Sequence, residues 1–239
     1  MPVLFSFACQ RSRLLYDQRV PKLTSAVLVG LLITFPCGVF GEDAPPSRLL
    51  LVTKTQDDLP LFLPMGTRLL RDPITIEKFL EELDGEPPDW AEVHGNHEHP
   101  DDEGLFVLNR ERDRLRAGRP ALSEQITFLW EGLLSSYVPD QCGFLVAVGP
   151  EMIATTWGLV RFKPESLPAE LIAVPAPRVR KFLQTKLARG DDLRLVVAMT
   201  GRVVPNEAVV YDFAHEDPGQ GMIMPMVRVE QIDYFLPVP

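Results

Sequence analysis

The chain has 239 residues, of which 46% are apolar, and 33 acids against 24 bases give it a formal net charge of −9. Such a surface repels phosphate backbones and anionic lipid headgroups, which disfavours nucleic acid and a membrane surface as partners. The length suits one ordinary domain, or a small domain with an appendage.

Residues 25–41, SAVLVGLLITFPCGVFG, are uncharged and follow Arg19 and Lys22. A basic flank, an apolar middle and a small residue at the exit are the parts of an export signal, with cleavage expected near Gly41. The competing reading is an uncleaved anchor helix, because seventeen residues lie at the short end of what spans a bilayer. Pro36, Gly38 and Gly41 oppose it, since they break a helix and suit the extended chain a peptidase grips. Tyr16, Asp17 and Gln18 are out of place in a basic lead-in, and a start at Val20 gives a more compact leader. The expected location is periplasmic or secreted, with no membrane attachment after cleavage. Removing residues 1–41 takes away Cys9 and Cys37, so Cys142 is expected as an unpaired thiol, buried at a strand start, with no intramolecular disulfide.

Residues 42–121 read as a Pro-rich leading segment and a helical region. Leu49 to Val52 suggests one extended strand. Asp72 as N-cap, Pro73 at the first helical position, Ile76, Phe79, Leu80 and Leu83 at i, i+3, i+4 and i+7, and Gly85 at the exit define a helix. Pro87-Pro88-Asp89 opens a short turn or helix with Trp90 and Val93. A further helix spans about Leu105 to Arg116, with Leu105, Leu108 and Leu115 expected on its buried side and Arg110, Glu111 and Arg114 in solvent.

From residue 122 the hydrophobic period changes from 3.6 to 2, marking a β-rich region that runs to 239. Ile126, Phe128 and Trp130 alternate on one strand and Phe144, Val146 and Val148 on the next, joined by a Pro139-Asp140 turn. A third strand, about Trp157 to Phe162, precedes a helix with Val179, Phe182, Leu183 and Leu187 expected inside. Strands at Leu193 to Val204, Ala208 to Phe213 and Met222 to Phe235 follow, the last bent near Gln231. The fold class is therefore α+β: a short N-terminal helical region, then a mainly antiparallel β domain. Three strands, a helix and further strands match an OB-like five-stranded barrel with one intervening helix; a β-sandwich or a helix-backed open sheet fits the same order.

Two constellations could ligate a transition metal. His94, His97 and His99 with Asp101 offer imidazole and carboxylate to zinc or copper, although Gly95, Asn96 and Pro100 keep them off one helix face, and a solvated loop explains them as well. Met222 and Met224 project from one strand face and could hold Cu(I), or simply fill core space. Cys142, Ser135 and Ser136 are potential nucleophiles without a surrounding G-x-S-x-G or H-E-x-x-H motif, and no phosphate-binding loop is present. Arg178, Arg180, Lys181, Lys186 and Arg189 form a basic helix surface, suited to solvent or to an acidic partner, including the protein's own acidic helical half. The leading expectation is an exported, non-catalytic binding or assembly module of the cell envelope or periplasm, without a cofactor, whose partner is an envelope protein or a small ligand. The rivals are a copper or zinc carrier and a hydrolase with an unrecognised site.

Overall fold

The computed structural model describes residues 47–52, 56–94, 102–214 and 220–237. The expected leader, the rest of the Pro-rich segment, and His97, His99 and Asp101 lie outside the described residues. Among the described residues, eleven strands join one mixed sheet: β1 (Ser47–Val52), β2 (Arg68–Leu70), β3 (Ile126–Val138), β4 (Gly143–Val148), β5 (Ile153–Thr155), β6 (Gly158–Val160), β7 (Lys163–Pro164), β8 (Ile172–Ala173), β9 (Leu193–Val203), β10 (Val209–Phe213) and β11 (Gly221–Pro237). The same residues include four α-helices: α1 (Pro73–Asp84), α2 (Trp90–His94), α3 (Asp102–Arg116) and α4 (Pro177–Ala188).

The protein is α+β. Its main strand path runs β5-β6-β11-β9-β3-β4-β8, and among the described residues the sheet is not closed. The long ladders β3–β9, β9–β11 and β3–β4 are antiparallel, whereas β1 joins β11 and β2 joins β3 in parallel. β11 is the hub, pairing with β1, β6, β7, β9 and β10. It reaches so many partners by bending: its register against β9 shifts between Val229 and Gln231, where the sequence suggests a bend. Pro225, which has no N–H to give, sits after the last β6 partner, Ile223, and before the first β7 partner, Met226.

Strand alternation puts Ile126, Phe128, Trp130 and Leu134 on one face of β3, where they join Val197, Met199, Ile232 and Tyr234 from the neighbouring strands. Ile76, Phe79, Leu80 and Leu83 of α1 and Leu183 of α4 belong to the same core. Phe128 and Phe162 stack at 5.0 Å between ring centroids. A second apolar cluster of Leu59, Leu63, Ala198 and Phe235 is separate from this core. The local signals around α1 hold: Asp72 accepts from the Thr75 N–H at 3.0 Å, Pro73 opens the helix and Gly85 closes it.

Three expectations are corrected. Phe182 is 56% exposed and Leu183 is fully buried, because the inward stripe of α4 is the narrow i, i+4, i+8 series Val179, Leu183 and Leu187. Phe182 lies outside it, with the Lys186 ammonium 5.9 Å from its ring centroid. Leu115, expected on the buried side of α3, is 61% exposed while Arg116 is buried; Leu108 packs against the core, and Arg110, Glu111 and Arg114 are exposed, as expected. Cys142 is disulfide-bonded rather than a free thiol. It occupies the left-handed region (φ 52°) at the end of the turn between β3 and β4.

Leu183→Ala is expected to cost about 2–5 kcal/mol through lost transfer energy and a residual cavity, and Phe182→Ala less than about 1 kcal/mol. Denaturant unfolding of the two variants checks the assignment; equal losses would place both side chains in the core.

Candidate functional site

A concavity of about 1010 Å³ lies between α3 and the chain from Asp84 to Val93. The construction begins with the C-terminus of α1. A helix end exposes carbonyls that need donors, and α1 has no basic residue in its own last turn. α3 supplies them. Arg112 Nη1 donates to the carbonyls of Asp84 at 3.1 Å and Glu86 at 2.8 Å, and Arg119, just beyond α3, reaches Glu82 O at 3.4 Å. These cations sit where the helix dipole is negative.

Arg116 lies deeper and is only 1% exposed. Its guanidinium donates through Nε to Asp84 Oδ1, through Nη2 to Asp84 Oδ2 at 3.0 Å, and through Nη1 to Asp113 at 2.6 Å and to Val209 O at 3.2 Å. The Tyr211 hydroxyl also donates to Asp84 Oδ2, and the guanidinium stands 5.5 Å from the Tyr211 ring centroid. Burial opposes the charge on Arg116, but the hydrogen bond and charge of Asp84 outweigh it and hold the guanidinium above its ordinary value. Burial raises the Asp113 carboxyl despite the neighbouring Arg116.

α3 also covers the edge of β10. The Asn109 amide donates to Tyr211 O at 2.9 Å and accepts from Tyr211 N–H at 2.8 Å, taking the place of a neighbouring strand. The opposite wall is pinned by α2. Trp90 donates its indole N–H to Trp157 O at 2.6 Å and lies over Gly221, where an added Cβ would come within 1.8 Å of the ring.

With Asn109, Arg112 and Arg116 turned inward, α3 shows its apolar residues to the groove. Gly104, Leu108, Glu111 and Leu115 follow i, i+4, i+7, i+11 and share one face. Val107, 46% exposed, lies beside them. The rims are acidic. Asp89 caps α2 through the Ala91 and Glu92 N–H groups. The carboxylates of Glu86, Glu92 and Glu111 are exposed and have no ion pair among the described residues. Arg112 and Arg119 line the same concavity, with guanidinium groups directed at the carbonyls that end α1.

The sequence-derived candidates fall elsewhere or on its border. His94 ends α2, with its ring edge-on to Phe213 at 5.3 Å, and its proposed co-ligands are outside the described residues. Met222 is buried and Met224 half-buried on β11, opposite Asp212 and Val210 of β10. Among the described residues no group of three His, Cys, Asp or Glu side chains is placed to hold a metal. Ser135 donates to Leu145 O at 3.2 Å. A smaller cleft of about 230 Å³ at the β3–β9 surface includes Glu131, Glu151 and Arg194. Burial and the charge of Glu131 raise the Glu151 carboxyl.

Sequence reasoning missed Asp84, Asn109, Arg112 and Arg116. The available signal was their spacing: Asn109, Arg112 and Arg116 occupy i, i+3, i+7, positions that a buried helix face normally fills with apolar residues. No family model matches the chain, and no curated protein or solved structure matches it. No helix among the described residues is long and apolar enough to cross a membrane.

Arg116→Met leaves Asp84 buried without its cation and is expected to cost about 3–5 kcal/mol; adding Asp84→Leu should recover much of that loss in a double-mutant cycle. Additive losses in chemical denaturation would show that the two residues do not act as a pair.

The pH dependence has a definite sign. Burial, reinforced by Asp84 for Tyr211 and by Asp233 for Tyr234, pushes both phenols well above the ordinary 10.0. Both remain protonated in the folded chain after the unfolded chain has begun to ionise. Their contribution is complete below pH 10 and falls above it, by about 1.4 kcal/mol per pH unit for each tyrosine. Tyr211→Phe should halve the steepness due to this pair, as read from unfolding free energies across the alkaline range.

Proposed function

We propose that the protein is an exported, non-catalytic binding or assembly module that works by docking a partner in the groove beside α3. One observation carries this reading: α3 turns Asn109, Arg112 and Arg116 inward and exposes Val107 and Leu115 beside Glu86, Glu92 and Glu111, which have no ion pair among the described residues. Exposed apolar surface framed by polar groups is the common form of a docking site. The walls are held by the buried Arg116–Asp84–Tyr211 network and by Trp90, so little ordering is needed when a partner arrives. Export rests on the leader-like composition of residues 1–41, and the finer OB-like description rests on element order alone.

The test uses the full chain as bait in an extract of its native cells. Wild type is expected to retain a defined protein that Val107→Asp with Leu115→Asp loses, while unfolding free energies agree within about 0.5 kcal/mol because both sites are exposed. Identical retention by both baits would remove the groove from the function. Export has its own measurement: intact mass of extracytoplasmic protein before and after reduction. A mature chain starting near Glu42 is expected, with any leader fragment bonded to Cys142 released by the reductant. Residues 25–41 retained after reduction would identify an anchor.

A further inference from the structure

The occupant of the groove can be sought on the molecule itself. α4 and its C-cap Arg189 present Arg178, Lys181, Phe182, Thr185 and Arg189 at i, i+3, i+4, i+7 and i+11, a single helix face, and all five are exposed. α4 contains no acid. Lys186 pairs with Asp191 at 2.9 Å, whereas Arg178, Lys181 and Arg189 have no ion pair among the described residues. At the centre of this basic face stands Phe182, 56% exposed. The groove offers Val107, Leu108 and Leu115 beside the exposed carboxylates of Glu86, Glu92 and Glu111, while its two arginines, Arg112 and Arg119, are turned to the carbonyls at the end of α1. No α4 residue lines the groove of its own chain.

We propose that the α4 face of one copy docks in the α3 groove of a second copy, with Phe182 against Val107 and Leu115 and its bases against the acidic rims. The dimensions agree. The twelve residues of α4 make a rod of about 18 Å, and the span from Val107 to Leu115 is about 12 Å, so two turns of α4 lie over the apolar floor. A helix seated in a groove by its i/i+4 apolar and charged residues is a common mode of recognition. Donor and acceptor surfaces are different parts of the chain, so the contact is heterologous: every bound copy still offers one free α4 and one free groove, and association continues into a ring or an open filament. A single three-turn helix buries little area, so the contact is weak, concentration-dependent and sensitive to salt.

This inference rests on the docking reading of the groove, and its test separates the two. Sedimentation velocity of the full chain over a concentration series should show reversible association that is lost near 1 M salt, where the Debye length is about 3 Å. Arg178→Glu with Lys181→Glu and Arg189→Glu is an α4 variant; Glu86→Lys with Glu92→Lys and Glu111→Lys is a groove variant. Each alone should weaken self-association at least tenfold. Mixed together, the wild-type α4 of the groove variant meets the wild-type groove of the α4 variant, and the acidic α4 of the second meets the basic groove of the first, so the mixture should associate in an alternating series. Both sets in one chain should restore the series. All the changed residues are exposed, and matching unfolding curves confirm that the variants fold. A wild-type chain monomeric throughout, or mixed variants that fail to associate, overturns the second copy as occupant. If the wild-type bait still retains a foreign partner through Val107 and Leu115 in that case, the groove remains a docking site and only its self-recognition falls.

Discussion

An arginine withdrawn from water must be given anions and acceptors, and Arg116 obtains them from Asp84, Asp113 and Val209. That requirement dictates the rest of the helical layer. Asp84 ends α1, Asp113 belongs to α3 and Val209 begins β10, so one guanidinium fixes the relation of two helices and a strand. The cost of burying such a pair is several kcal/mol per ion, recovered only with good geometry and satisfied hydrogen bonds. Tyr211 completes the set by donating to Asp84. Turning Asn109, Arg112 and Arg116 inward leaves Val107 and Leu115 outside, while Leu108 still packs against the core. The exposed floor of the groove is thus a geometric consequence of the buried ion pair.

Charge is segregated as sharply as polarity. An acidic chain with net charge −9 repels its own copies at long range, yet at physiological ionic strength that repulsion fades over about 8 Å. Within that distance the local pattern governs, and locally the molecule is not uniformly acidic: α4 contains no acid, while the exposed carboxylates Glu86, Glu92 and Glu111 lie at the groove. Net repulsion prevents indiscriminate clustering, and a matched pair of surfaces can still meet in one orientation.

What could be read from the sequence was local. Asp72, Pro73 and Gly85 mark α1 because capping and φ preferences act within a few residues. The alternation of Ile126, Phe128 and Trp130 marks β3, and the bend near Gln231 appears as a register shift. The failures required partners distant in sequence. Arg116 reads as a solvated helix terminus until Asp84 and Tyr211, 32 and 95 positions away, are brought beside it. β2 has three residues and exists because Thr67 and Arg68 meet β3, the Thr67 hydroxyl lying 3.0 Å from that of Thr127. Phe182 was misplaced because a wide apolar stripe and a narrow one share most of their positions, and only the packing of Leu183 distinguishes them. Of the candidate site, the acidic residues near α2 were visible in composition, but the burial of Arg116 and the exposure of Leu115 at the groove were not.

The sheet itself is guarded against the association that strands favour. An unpaired edge recruits any extended chain, and this molecule limits its edges by length and by cover. The ends of the main path, β5 and β8, have three and two residues. β10 pairs with β11, and Asn109 and Arg116 of α3 occupy backbone groups of Tyr211 and Val209 that a further strand would otherwise use. The same helix has two faces. Its polar face closes a route to unselective strand pairing, and its other face carries Val107 and Leu115, the floor of the groove in which we propose docking. Loss of Asn109 or Arg116 would weaken both at once, because the contacts that protect β10 also hold α3 in the orientation that shapes the groove.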